Sequence, residues 1–460
     1  MTSYLRFHRR PRRRVLPAVA CAAGLIIGAC NTDRILDVPT PDIIDPNSVN
    51  SAPGAEAVRI GALGRLNVAT SGGESFFLYG GLLADEWQSS DTFQQRDETD
   101  QRAVQLQNAN ITTAYRGMQQ ARVSAQQAAI ALKQYKPVPA WETAEMYWVQ
   151  GYMENLAAEN LCNGIPFSFP KTDGTTDFGD PLSNIQAYAR ALAHADSALA
   201  TATGTSSDDI RVRNLAKILR GRILLNLGQF PQALAAVSFP GADSIPVTFA
   251  YFAEHSTAAA ARNNQIWSLN NSVGRYTVAN NDGTNGLNFR TAGDPRVQVG
   301  ASTGLGFDSR TPLFPQLLYG QTSSFPIVTG IEAKLIIAEA LLKAGNATWL
   351  DTLNKLRASP KPSWIPAPTG GYSLAPLALP ATQTAKEDLV FRERAFWLFL
   401  SGHRLGDLRR LVRQYSRPAE SVYPTGTFLK GGTHGADLNF PVVQSEENNP
   451  KFHGCTDRAA

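Results

Sequence analysis

The strongest constraint on folding is an almost unbroken apolar run at residues 395–400, close to the C-terminal end of the chain. Charged or titratable residues border it on both sides: Glu393, Arg394, His403, Arg404 and Asp407. Such a run has to be buried, and ionic groups beside it are costly to bury unless each has a partner. If the helix continues past Gly402, Asp407 lies within one turn of both Arg404 and His403 and can pair with either. We therefore predict a structural cluster of ion pairs formed by Glu393, His403, Arg404 and Asp407. Acid/base catalysis by the same side chains is the alternative, but short charge motifs of this kind are frequent without it.

Length and composition predict a folded globular protein. The chain has 460 residues, of which 43% are hydrophobic and 18% charged, enough to bury a sizeable core. The formal net charge of +4 depends on six arginines within residues 1–29, a segment without acidic residues. Without that segment the balance becomes slightly negative, which removes any electrostatic reason to expect nucleic acid as a partner.

The first 51 residues predict export and membrane attachment. Residues 1–29 combine a basic start, a short apolar stretch and small residues, the layout of a secretory signal peptide. The following Cys30 completes a sequence similar to a bacterial lipobox, which implies cleavage before Cys30 and its acylation. An ordinary signal peptide with a chance cysteine is the alternative. Residues 30–51 are polar and contain three prolines, so we expect an acylated N-terminus followed by an extended tether.

Helical periodicity dominates the remainder. Apolar residues recur at helical spacing in residues 52–69, 108–134, 141–160 and 185–202. Residues 211–237 and 331–357 each read as two helices joined by a glycine-containing turn, similar to a tetratricopeptide hairpin. Residues 238–329 are rich in Gly, Asn, Pro and Thr, and pieces such as 245–249 and 265–269 suggest loops with a few strands. The prediction is a mainly α fold, in which tetratricopeptide-like hairpins belong to one large helical domain, 52–460, with a loop-rich insertion at about 238–329.

Two stretches are candidates for ligand binding because they mix aromatic rings with hydrogen-bonding side chains. The first contains Trp87, Gln88, Asp91 and Phe93, and the second contains Asn264, Trp267 and Tyr276. Each has a plain structural alternative. Tryptophan is highly buried on average, and asparagine is equally common in turns.

The remaining chemistry-bearing residues are few. With Cys21 in the signal segment and Cys30 acylated, Cys162 and Cys455 remain, and outside a reducing cytoplasm they are expected to form a disulfide. Two separate buried thiols are the alternative. The six histidines show no metal-binding spacing, and Ser168 with Lys171 lacks the helix that a catalytic Ser-x-x-Lys pair requires. We expect no metal site, no cofactor and no catalytic residue.

The charged motif around the apolar run resembles the C-terminal signature of the SusD/RagB family. The resemblance rests on Glu393-Arg394, Gly402-His403-Arg404 and Asp407-Leu408-Arg409-Arg410. Weaker matches follow the family's order along the chain, at residues 36–39, 45–47, 293–296, 334–340 and 439–450. Trp397 and Ser401 stand where the family often has Glu, so we expect a smaller local ion-pair network here.

The resemblance implies a non-enzymatic lipoprotein of the outer membrane, facing the cell exterior. Such a protein captures a nutrient, either an oligosaccharide or a peptide, and acts as the lid of a SusC-like TonB-dependent transporter. Two alternatives come from other classes. A surface-anchored hydrolase requires paired acids in one cleft, and a tetratricopeptide-type scaffold binds a protein partner in a concave helical groove.

Overall fold

Helices dominate the part of the chain that the computed structural model describes, residues 50–171, 173–239, 241 and 244–460. The predicted signal peptide, the acylated Cys30 and the tether up to residue 49 lie outside these residues. From Val49 to Ala460 the chain forms one compact unit. In chain order the helices are α1 (Ala52–Thr70), α2 (Phe76–Leu83), α3 (Gln94–Asp100), α4 (Ala109–Tyr135), α5 (Ala140–Asn160), α6 (Asn184–Thr201), α7 (Ser207–Asn226), α8 (Phe230–Val237), α9 (Gln265–Trp267), α10 (Gly330–Lys343), α11 (Thr348–Arg357), α12 (Gln383–Trp397) and α13 (Arg404–Tyr415). The mainly α prediction is confirmed.

Local sequence explains where several helices begin. Ser51 caps α1, and the side chain of Asn108 accepts hydrogen bonds from the second and third amides of α4. Ser183 and Ser206 each form a capping box at the start of α6 and α7. These short polar side chains satisfy amides that have no partner inside the helix, which stops fraying at the first turn.

Consecutive helices pack against each other along the chain, with α4 on α5, α5 on α6 and α6 on α7, while α1 packs on α4. Small residues permit the close approach. A Cβ added to Gly151 of α5 would lie 2.8 Å from the carbonyl oxygen of Ala191 in α6. Alanines fill the buried face of α4 in the same way.

The two predicted hairpins are α7–α8 and α10–α11. Gly228 and Gly345 occupy their turns with φ of +71° and +68°, a left-handed conformation that only glycine adopts at little cost. Although the hairpins are about a hundred residues apart in sequence, α8 packs directly on α10. They form one helical layer rather than separate units.

The strands form three two-stranded antiparallel sheets. Their members are β1 (Trp87–Ser89) with β5 (Tyr276–Val278), β2 (Phe169–Pro170) with β3 (Thr176–Asp177), and β4 (Ala250–Ala253) with β6 (Phe325–Thr329). The piece at 265–269, expected to be loop or strand, is helical instead, because the side chain of Asn264 caps the amides of Ile266 and Trp267 and starts a helical turn there. The piece at 245–249 is also not a strand, since β4 begins at Ala250.

The predicted pairing of Asp407 required the helix of the charged motif to continue past Gly402. The helix does not do so. α12 ends at Trp397 and α13 begins at Arg404, with Leu400 and Gly402 between them at φ of +65° and +74°. A Cβ on Gly402 would overlap the ring of Phe77 in α2. The first half of the apolar run, 395–397, thus completes α12, while 398–400 lie in the tight turn that packs on α2.

Candidate functional site

The carboxylate of Asp407 lies at the centre of the charged motif, fully buried. It accepts hydrogen bonds from Nε and Nη2 of Arg394, at 2.8 and 2.9 Å, and from Nη2 of Arg410, at 2.8 Å. Burial by itself would raise the pKa of Asp407, but the charges of Arg394 and Arg410 hold it well below its usual range. The Asp407 carboxylate is therefore ionised and both of its oxygens accept these hydrogen bonds, so it is not available as a general acid or base.

The predicted pairs of Asp407 with Arg404 and with His403 are wrong. Nε of Arg404 donates to Oδ1 of Asp85 at 2.6 Å, so it pairs with the segment after α2. His403 lies 3.2 Å from the carboxylate of Glu332 in α10. With the turn between α12 and α13, these two side chains take Asp85 and Glu332 as their direct carboxylate partners instead of Asp407.

Glu393 also finds its partners far along the chain. It accepts from Nη1 of Arg296 and from Nη1 of Arg357, each at 2.7 Å. Arg410 reaches Glu339 of α10 at 2.9 Å, and Arg222 of α7 pairs with Glu159 of α5. The network is thus larger than Trp397 and Ser401 led us to expect, because other helices supply the acidic partners.

The two predicted binding stretches meet in space, since β1 and β5 pair Ser89 with Tyr276. The rings of Trp87 and Tyr276 are fully buried and pack edge-to-face with centroids 6.0 Å apart. Gln88 is buried too and donates to Oδ1 of Asp282 at 2.9 Å. Direct ligand contact by Trp87, Gln88 and Tyr276 is therefore a wrong prediction: these side chains are core.

Asp91 and Asn264 likewise serve the fold. Asp91 is buried in ion pairs with Arg96 and Arg275, the latter at 2.8 Å from its Oδ1. Asn264 is fully buried, and its amide nitrogen donates to the Ser323 carbonyl at 3.1 Å while its oxygen caps α9. Neither side chain has surface to offer a ligand. Trp267, by contrast, is only half-buried.

An exposed aromatic surface does exist at the edge of this region. Phe93, from the first stretch, is 47% exposed, and Phe307, which the sequence analysis missed, is 46% exposed. The guanidinium of Arg275 lies between them, 4.8 Å from the Phe93 ring centroid and 4.1 Å from that of Phe307. The neighbouring Leu305 is exposed as well. We call Phe93, Arg275, Phe307 and Leu305 the aromatic patch.

Backbone hydrogen bonds hold the aromatic patch in place. The amide of Phe307 donates to the Gly274 carbonyl at 2.8 Å, and the amide of Asp308 donates to the Ser90 carbonyl at 3.0 Å. Lys430 adds an ion pair to Asp308 at 3.2 Å. The loop that carries Phe307 is thereby fastened to the ends of β1 and β5, so both rings are positioned before any ligand arrives.

The chemistry of the aromatic patch suits stacking. Each ring makes a cation–π contact with the Arg275 guanidinium, the Arg96 guanidinium lies 5.2 Å from the Phe93 centroid, and close to half of each aromatic side chain remains exposed. The positive charge of Arg275 is already balanced by Asp91, so the patch offers apolar faces rather than net charge. Such faces bind the apolar side of a sugar ring or a flat organic group. The only signal for Phe307 in the sequence is an aromatic residue within a Gly/Ser/Asp-rich loop.

A disulfide joins Cys162, just after α5, to Cys455 near the C-terminus, with a Cα–Cα distance of 5.8 Å. The adjacent Thr456 amide donates to the Asn163 carbonyl at 3.0 Å. Together they fasten the C-terminal tail to the end of α5.

Among the described residues, no group of three or more His, Cys, Asp or Glu side chains is arranged to hold a metal ion. Within the same ranges, no helix combines the length and the apolar character needed to cross a bilayer.

Solved structures provide the comparison with known proteins. A SusD-like carbohydrate-binding protein from Bacteroides vulgatus aligns with a TM-score of 0.60 at 13% identity, covering 88% of this chain and 97% of that protein. A SusD/RagB family protein from Bacteroides thetaiotaomicron gives 0.61 at 12% identity, over 86% and 94%. NanU of Bacteroides fragilis gives 0.58 at 14% identity, over 91% and 100%. No family model matches the sequence, and neither does any curated protein.

The chain therefore has the fold of the SusD superfamily, over nearly the whole length of these proteins. At these identities the likeness establishes the fold. It agrees with the resemblance drawn from the order of the sequence motifs.

Proposed function

We propose that this protein is a SusD-type nutrient-binding lipoprotein, that it is not an enzyme, and that its ligand is a glycan. The observation that carries the proposal is the match in fold along almost the full length of SusD-like proteins, one of which is described as carbohydrate-binding. The ordered sequence motifs support it independently.

The aromatic patch is the proposed glycan site. Sugar rings have apolar faces that stack on aromatic side chains, and Phe93 and Phe307 present two such side chains around one guanidinium. A rigid, largely pre-formed surface lowers the entropic cost of binding. The patch thereby favours an oligosaccharide over the peptide that the sequence alone left open.

Location and partner belong to the same proposal. Acylation of Cys30 would attach the protein to the outer membrane, facing the exterior. There it would act as the lid of a SusC-like TonB-dependent transporter and deliver the glycan to the barrel. The lipobox-like sequence before Cys30 and the SusD fold support this role.

The hydrolase alternative requires two accessible acids in one cleft. The acidic side chains in and beside the first candidate stretch, Asp85, Glu86 and Asp91, do not meet that requirement. Asp85 is bound to Arg404, Asp91 to Arg96 and Arg275, and Glu86 accepts from the Leu400 amide. All three carboxyl groups are buried in structural contacts. A glycosidase needs two of its acids on either side of an accessible scissile bond.

The ligand site is tested by affinity electrophoresis on a panel of neutral polysaccharides. We expect the double substitution of Phe93→Ala with Phe307→Ala to abolish retardation by the glycan that retards the wild type, since each lost stacking contact costs about 0.5–1.5 kcal/mol beyond its buried area. Phe239→Ala is the matched control, because Phe239 is also exposed and also stacked on a cation, Lys217. Equal retardation of the double variant and the wild type would place the glycan site elsewhere.

The partner is tested by affinity purification of the acylated protein from outer membranes of its native host. We expect a large β-barrel transporter in near-equal amount. Recovery from the inner membrane without a barrel would refute the lid role while leaving glycan binding to the first experiment.

A further inference from the structure

A long groove with both polar and apolar lining residues runs along one face of α4. It consists of two adjoining cavities of about 480 and 530 Å³ that share Arg116 and Ser445 as lining residues. From Ala109 to Gln127, both of which line it, the helix axis advances about 27 Å. The groove shares no lining residue with the aromatic patch.

Helical periodicity explains why this face is polar and open. The opposite face of α4 is buried through Ala114, Ala121, Ala125 and Ala128, and α4 packs on α1 and α5. The remaining face carries amide and hydroxyl side chains into the groove: Thr112, Gln119, Gln120, Ser124 and Gln127. The opposite wall comes from the C-terminal 3₁₀ helix Gln444–Asn448.

Two arginines in the groove have no acidic partner among the described residues. Arg65, from α1, donates through Nη1 to Oε1 of Gln120 at 2.8 Å, a neutral amide. Arg116 lies one helical turn before Gln120 and is exposed where the two cavities join. Both arginines are exposed, and together they line the same groove from the neighbouring helices α1 and α4. Two guanidinium groups without a carboxylate partner form a complementary surface for anionic groups.

Glu446 is the one acidic residue among the described residues that line the groove, against the two cations Arg65 and Arg116. Burial raises its pKa, although hydrogen bonding to Tyr115 and the charge of Arg122 act in the opposite direction. The groove therefore combines net positive character with side-chain amides, each of which both donates and accepts hydrogen bonds.

We propose that this groove is a second binding site and that it takes a linear acidic oligosaccharide. Arg65 and Arg116 would bind carboxylate or sulfate groups of the chain, while the glutamines and hydroxyls bind its sugar hydroxyls. An extended peptide fits less well, because it needs main-chain partners or apolar pockets, and the floor of the groove is a helix whose main chain is bonded internally. The inference does not depend on the aromatic patch, and it would stand even if the aromatic patch bound no glycan.

The test is calorimetric titration of the full mature protein with two probes, a tetragalacturonate and a heparin-derived tetrasaccharide. Fully methyl-esterified tetragalacturonate serves as the neutral comparison. We expect saturable binding of at least one acidic probe, and weaker binding of the ester. Arg65→Gln and Arg116→Gln should each reduce the affinity about tenfold, the effect of losing one charge-assisted hydrogen-bonding group.

Arg262→Gln is the matched control, since Arg262 is exposed on a separate 3₁₀ helix outside the groove. The Arg262→Gln variant should bind the acidic probe with the affinity of the wild type. The double Phe93→Ala, Phe307→Ala variant should do the same. The proposal is overturned if neither acidic probe binds, or if Arg65→Gln and Arg116→Gln bind like the control. Equal affinity for a tetraglutamate peptide would overturn the assignment to an oligosaccharide.

Discussion

At the residue scale, the burial of its charged side chains makes the charged motif around the apolar run a structural element. Arg394 and Asp407 are buried together and joined by two hydrogen bonds of 2.8 and 2.9 Å. Removing one member of such a pair leaves the other charged and unsolvated, which costs several kcal/mol. This explains why side chains whose chemical types suggested acid/base catalysis stabilise the fold instead.

Glu86 is the exception in this region, because its buried carboxyl group forms no ion pair with any described residue. Its Oε1 accepts from the Leu400 amide at 2.9 Å, while its Oε2 has no hydrogen-bond partner among the described residues. Burial raises the pKa of Glu86 to about 8, and the charge of Asp85 adds to the effect. The side chain is therefore protonated at neutral pH in the folded state.

Glu86→Gln should make stability less dependent on pH. Between the ordinary glutamate pKa and about 8, the folded wild type holds one proton more than the unfolded chain. This contribution of Glu86 is complete below the ordinary pKa and is lost as pH rises, at up to about 1.4 kcal/mol per pH unit. Glutamine mimics the protonated acid, so the variant should match the wild type near pH 5 and be more stable at pH 8 in urea unfolding. Parallel pH profiles of wild type and variant would contradict the prediction, and Glu447→Gln, on an exposed side chain, serves as the control.

At the element scale, glycines set how closely the helices approach. Gly221 of α7 faces the contact between the two tetratricopeptide-like hairpins. A Cβ there would lie 2.9 Å from Cγ1 of Val237 in α8 and 3.3 Å from Cδ1 of Ile336 in α10. The stacking of α8 on α10 thus depends on the absence of a side chain at this position.

Gly221→Ala and Gly64→Ala should have opposite effects on stability. Alanine gains up to about 1 kcal/mol in a helix interior, but overpacking a core costs about 1–3 kcal/mol. We expect Gly221→Ala to lower the free energy of unfolding by about 1 kcal/mol. Gly64, inside α1, has nothing within 4 Å of an added Cβ, so Gly64→Ala should raise it. Chemical denaturation measures both, and stabilisation by both substitutions would refute the packing argument.

At the scale of the whole molecule, distant segments complete the fold. The C-terminal tail is held to the end of α5 by the Cys162–Cys455 disulfide and by a hydrogen bond from the Cys162 amide to the Phe440 carbonyl at 2.8 Å. The two cysteines are 293 residues apart in sequence. A cross-link that closes so long a loop restricts the unfolded chain strongly.

Loss of the disulfide should destabilise the protein without unfolding its helices. We expect Cys455→Ser to lower the free energy of unfolding by about 2–5 kcal/mol. Thermal melting followed by circular dichroism, with and without reductant, checks this. Reductant should lower the melting temperature of the wild type and leave that of Cys455→Ser unchanged, whereas an equal response of both would show that the bond does not act as described.

Much of the fold could be predicted from the sequence, and little of the candidate site. The two helices predicted within 331–357 correspond to α10 and α11, and the prediction at 108–134 differs from α4 by one residue at each end, because helical periodicity and capping are local. The failures concern exposure. Trp87 was assigned to a ligand surface and is core, while Phe307 was missed and is exposed. Exposure depends on which segments cover a residue, and periodicity does not contain that information.

The sequence by itself determined most of the long helices and the two glycine turns, since each depends on residues within a few turns of one another. It also carried the ordered motifs that resemble those of SusD/RagB proteins. Only the tertiary structure decided the partners of Arg404 and His403, the meeting of Phe93 with Phe307 around Arg275, and the groove along α4. These contacts join residues tens to hundreds of positions apart. Their formation depends on how the whole core packs, which no local pattern specifies.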